Sequence, residues 1–73
     1  MARDRSYVVV VEGAVGAAVA QAFSPLAVDS SNGETTISGE ALDAAMLSGV
    51  LRTVERLGLV LVAVRSSVNG DSG

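Results

Sequence analysis

Two apolar runs constrain this chain more than anything else in it. They are Tyr7-Val8-Val9-Val10-Val11 near the start and Leu59-Val60-Leu61-Val62-Ala63-Val64 near the end. Neither alternates apolar with polar residues. A strand with one wet face alternates, whereas a strand apolar at every position is usually covered on both faces. A chain of 73 residues has little material with which to cover both faces of a sheet. Domains of this size bury only about 60% of the surface their unfolded chains expose. They are marginal unless a disulfide, a metal or association helps. The chain has no Cys and no His, so disulfides are excluded and the commonest metal ligands are missing. Association is the support that remains, and the runs point to a partner.

The segments between the runs are punctuated locally. Residues 1–6 form a polar lead-in, and the first strand is expected from Tyr7 to Val11, with a turn at Glu12-Gly13. Val15, Val19 and Phe23 recur at helical spacing in the Ala-rich stretch from Ala14 to Phe23, which Ser24-Pro25 ends. Leu26 to Ser30 and Thr35 to Ser38 read as strands joined through Asn32-Gly33. That dipeptide is the strongest short hairpin signal, because a type I′ turn needs positive φ at both central residues. The two-residue loop fixes the register: Ser31 faces Glu34, Asp29 faces Thr36, and Val28 faces Ile37. Leu26, Val28 and Ile37 then share one face, and Ala27, Asp29, Thr36 and Ser38 the other.

The second helix has the clearest ends. Asp43 is the expected N-cap, and Leu42 and Leu47 flank it at the positions of a hydrophobic staple. Leu42, Met46, Val50, Val54 and Leu57 make an apolar stripe, widened by Leu47 and Leu51. Gly58 suits a left-handed position after the helix, with Leu59 closing a Schellman ending. The last strand follows, and residues 66–73 are expected to be a disordered tail. The domain proper is therefore expected over residues 7–65.

The order β-α-β-β-α-β predicts an α+β fold. Two right-handed crossovers flanking a hairpin most simply give a ferredoxin-like sandwich, with sheet order 4-1-3-2 and both helices on one face. The hairpin strands then show water a polar face. The first and fourth strands do not: Val8, Val10, Val60, Val62 and Val64 are expected on the open face, as an interface. The larger side chains Tyr7, Leu59 and Leu61, with Val9 and Val11, suit the core. The last strand is also an edge, with no Pro and no charge before Arg65, so it lacks the usual protection against edge pairing. The competing explanation is that the tail or the lead-in folds over this face.

Side chains for chemistry are scarce. Without His, Cys or Lys the chain lacks the usual general base, thiolate nucleophile and Schiff-base amine. Glu12, Asp29, Glu34, Glu40, Asp43 and Glu55 are scattered and suit solvated surface. Gly13-Ala14-Val15-Gly16 faintly resembles a phosphate-cradling loop but lacks both the spacing and the lysine of one; a tight turn explains it better. Arg52, Arg56 and Arg65 form a candidate anion patch, for which a solvated face is the commoner role. A net charge of −3, one Tyr and one Phe argue against nucleic acid. No catalytic residue, metal ligand or cofactor is expected. No apolar stretch approaches the roughly 20 residues of a membrane span, and no cleavable leader is visible, so the expected location is the cytoplasm.

Several motifs together resemble a group of small uncharacterised actinobacterial α+β proteins. They are Tyr7-x-Val9-x-Val11-x-Gly13, Ala22-Phe23, Thr35-Thr36-Ile37-x-Gly39, Asp43-x-Ala45-x-Leu47-x-Gly49-Val50-Leu51, and Leu57-Gly58-Leu59-x-Leu61. The resemblance covers roughly Tyr7 to Arg65 and implies a small α+β domain with no established activity. Positions 8, 10 and 60 are often polar in that group, whereas here they are valines. This implies that Tyr7, Val9, Val11, Leu59 and Leu61 belong to the core and that the open face has become an interface.

The expected function is therefore a non-enzymatic interaction module. Its partner is either a second copy, as a homodimer, or a larger complex that it joins as an accessory subunit. The alternative is a regulatory domain resembling ACT domains, with a small molecule held at a dimer interface by Gly13 to Gly16 and Glu40.

Overall fold

The computed structural model describes residues 5–39 and 42–68. Its elements are β1 (Arg5–Glu12), α1 (Ala17–Gln21), β2 (Ala27–Ser31), β3 (Glu34–Ser38), α2 (Ala44–Arg56) and β4 (Leu61–Val68). The strands make one four-stranded sheet in the order β2-β3-β1-β4, antiparallel at every pairing. With two helices, this is an α+β domain.

The turn chemistry acts as the sequence predicts. Asn32 and Gly33 both have positive φ, 56° and 77°. The β2–β3 register pairs Ser31 with Glu34, Asp29 with Thr36 and Val28 with Ile37. In α2 the Asp43 carboxylate accepts from the Met46 N–H at 2.9 Å. At the other end Gly58, at φ 75°, donates to the Glu55 carbonyl, and the Leu59 N–H donates to Val54. These two bonds complete the Schellman ending, which turns the chain directly into the last strand.

Three spans differ from expectation. The first helix is five residues rather than ten, starting only after Gly16, and none of its residues is fully buried. Short helices are marginal without apolar contacts, and here only Val19 and the following Phe23 reach the core. The first strand begins at Arg5, inside the expected lead-in, and β4 runs to Val68, inside the expected tail. Ser66 and Ser67 pair with Tyr7 and Ser6. Backbone groups of the central strand β1 need partners on both sides, whatever the side chains opposite. Positions 1–4 and 69–73, the rest of the lead-in and tail, lie outside the described residues, as does Glu40.

The core sits between the sheet and the helices. Val9, Val11, Ile37, Leu42, Phe23, Leu26, Val50 and Val54 are buried together, with Tyr7, Val19, Val28, Met46, Leu47, Leu51 and Leu59 packed around them. Val9 is paired with Ile37, so their side chains project from the same face of the sheet. The helices cover that face.

Candidate functional site: the β4 edge

Pairing across β1 and β4 decides where the apolar runs point. Val8 faces Arg65, Val9 faces Val64, Val10 faces Ala63, and Val11 faces Leu61. The register shifts between Val10 and Val11, so Val62 is an extra residue with no partner of its own, a β-bulge. A bulge changes which residues share a face. Val64 lies opposite the core residue Val9, and so belongs to the helix-covered side rather than the open face where it is expected. Ala63 takes the place opposite Val10. The strand ladder continues past the bulge to Val60, whose carbonyl accepts from the Glu12 N–H at 2.8 Å.

Exposure corrects the expected patch further. Val10 is only 8% exposed although it lies on the open face. It sits on an inner strand between Thr36 and Ala63, whose side chains flank it. Val8 is half-buried. The exposed large apolar residues among those described are Leu57, Val60, Leu61, Val62 and Val64, at 41%, 56%, 46%, 48% and 40%. All five lie in one short stretch of chain. The anomaly therefore belongs to the edge strand and the turn leading into it, on both faces, rather than to the open face of the inner strands.

On the helix side the edge is incomplete. A groove of about 410 Å³ lies between α2 and β4, walled by Leu51, Val54, Leu59 and Leu61 and bordered by Ser48, Arg52 and Glu55. Leu61, expected in the core, lies at this groove, half uncovered. Sequence reasoning missed Leu57 and Leu61 as surface residues. The signal that marks Leu57 is its place as the C-terminal cap of α2, where the stripe leaves the helix. A smaller cleft of about 190 Å³ lies beside Phe23 and Leu26, against Met46, Gly49, Val50 and Thr53 of α2.

The other candidate groups are not brought together. Arg52 borders the groove, whereas Arg65 lies opposite Val8 on the far side of the sheet, so these arginines do not form one pocket. Gly13 is consumed by the fold: its N–H donates to the Gly33 carbonyl at 2.7 Å, and its own carbonyl accepts from the Thr35 hydroxyl at 2.7 Å. Its φ of 87° is the reason a glycine stands there. Among the described residues no group of three or more His, Cys, Asp or Glu side chains is placed to hold a metal ion. No helix among them is long and apolar enough to cross a membrane.

No curated protein and no solved structure matches the chain significantly. A family model does match, over residues 6–65, from Ser6 of β1 to Arg65 of β4. The chain thus belongs to the family described as a domain of unknown function, DUF8691.

Proposed function

We propose that this protein is a non-enzymatic interaction module that works by associating through the β4 side of its sheet. The observation that carries this is the concentration of exposed large apolar residues between Leu57 and Val64, on an edge strand with no charged side chain before Arg65. Monomers rarely leave such an edge bare, because it templates pairing with other chains. Burying a valine or leucine side chain is worth roughly 1.5–3 kcal/mol, so a few of them offset much of the entropic cost of association. The missing His, Cys and Lys support a role without chemistry.

Read from the β4 edge, the strand order is β4-β1-β3-β2. We take the fold as the ferredoxin-like sandwich on that basis, and the cytoplasm as its working compartment. The sensor alternative has less behind it, since the Gly13 backbone groups are already engaged within the domain.

The test is capture from extracts of the native cell, alongside sedimentation of the pure chain. Leu61→Asp combined with Val62→Asp should abolish whichever association the wild type shows. Retention of the same partners, or of the same oligomer, by that variant would contradict the proposal.

A further inference from the structure

Which occupant the β4 edge takes follows from the charges on the open face, on the premise that the proposed association through this strand holds. On that face Glu12 stands directly opposite Glu34. Both are exposed, and like charges facing each other across a strand pair are unfavourable. Arg65 lies on the same face, opposite Val8, and is exposed too. None of the three has an ion-pair partner among the described residues. Within one copy they do not meet. Val60 is the residue beside Glu12, and Ala63, opposite Val10, lies between Val60 and Arg65 along the open face. The domain thus carries an uncompensated cation towards one end of its edge strand and uncompensated acids beside the other.

A second copy brings the two together. Two β4 strands paired antiparallel about a two-fold axis must put residues of the same face opposite one another. The bulge sets those faces. Arg65 and Ala63 are on the open face and Val64 on the helix side, whereas beyond Val62 it is Val60 on the open face and Leu61 on the helix side. Across the bulge, a match therefore needs an odd-numbered residue opposite an even-numbered one. Setting Leu61 against Val64 and Val60 against Arg65 satisfies this and engages the exposed residues Val60, Leu61, Val62 and Val64 together. Sliding the register two residues towards the turn also keeps the faces, but it moves Arg65 beside Gly58, away from the acids. Registers wholly C-terminal to the bulge leave Val60 and Leu61 bare. We infer that the occupant is a second copy, paired through β4 so that one sheet runs across both molecules and each Arg65 reaches the other's Glu12. Strands lie about 4.8 Å apart, so Arg65 stands roughly 10 Å from that Glu12, with only the small side chain of Val60 between. The arginine stem lies over Val60, the most exposed of the large apolar residues at 56%, and its guanidinium relieves the repulsion between Glu12 and Glu34. Residues 69–73 leave from Val68, at the far end of β4, and residues 1–4 join at that same end, where Arg5 pairs with Val68. A two-residue reversal after Val68 leaves three residues to run back, about 10 Å of strand, which stops short of Val64.

The test is sedimentation of the pure full chain, with charge reversals at the two exposed positions. The wild type should dimerise. Arg65→Glu and Glu12→Arg should each keep the wild-type circular dichroism and weaken the dimer at least about tenfold, since each sets like charges together at both ends of the interface. An equimolar mixture of the two variants should recover it, because the reversed charges then meet at one end and the native charges at the other. Both reversals in one chain should recover it as well. Single variants that dimerise as tightly as the wild type, or a mixture no tighter than either variant alone, would overturn the inference. So would a wild type that stays monomeric at every concentration. If Leu61→Asp with Val62→Asp abolished that monomer's capture of other proteins from native extract, association through β4 would stand and only the second copy would fall. A monomer whose captured partners are the same with and without those two substitutions would overturn both.

Discussion

Thr35 shows how tightly single side chains are used in so small a domain. It is fully buried, and its hydroxyl donates to the Gly13 carbonyl at 2.7 Å. A hydroxyl has one proton to give, so the 2.7 Å bond between Thr35 and Ser30 must run from the Ser30 hydroxyl. Thr35 therefore ties β2, β3 and the turn after β1 into one short chain of bonds. Thr35→Val keeps the shape but removes the donor to the half-buried Gly13 carbonyl. It should cost about 1–3 kcal/mol, read as a lower urea midpoint with an unchanged slope. Asp43 has a simpler role, accepting from Met46 at the start of α2. Asp43→Ala should cost about 1 kcal/mol in the same measurement, and Asp43→Asn much less.

Helix α2 and strand β4 contrast in how far they could be read from sequence. The ends of α2 are set by Asp43, Gly58 and Leu59, whose bonds reach only a few residues along the chain. Such signals survive in any context, so both helix ends were legible. Gly49 in its middle has open space where a Cβ would stand. Gly49→Ala should stabilise the protein by about 0.5–1 kcal/mol, visible as a higher Tm.

The phase of β4 was not legible. Every residue from Leu59 to Val64 is apolar, so a bulge at Val62 leaves no trace in the polarity pattern. Val64 moved to the helix side for that reason. Likewise the burial of Val10 depends on strands distant in sequence, which flank it with Thr36 and Ala63. The two positions should respond differently to the same substitution. Val10→Asp buries a charge in an inner strand and should cost about 3 kcal/mol or more. Val62→Asp, on an exposed edge, should cost no more than about 1 kcal/mol in the isolated protein. Circular dichroism with urea denaturation separates the two outcomes.

At the scale of the whole molecule, a single layer of helices covers a single sheet, and one core supplies the burial. That core is built from both apolar runs, through Val9, Val11 and Leu59, and from the hairpin and α2. It does not extend over β4, where Leu61 and Val64 remain nearly half exposed on the helix side and Val60 more than half on the other. Among the described residues β4 is an edge strand with its large apolar side chains partly uncovered, and the proposed association covers that edge from outside. Hydrogen exchange along the strands tests that claim most directly. It should be followed for the pure chain at rising concentration and again after adding extract of the native cell. Exchange of the β4 amides that point away from β1 should be fast in the dilute protein and slow under at least one of these conditions, while β2, the opposite edge, stays unchanged. Equally fast exchange of β4 under all of them would contradict the account.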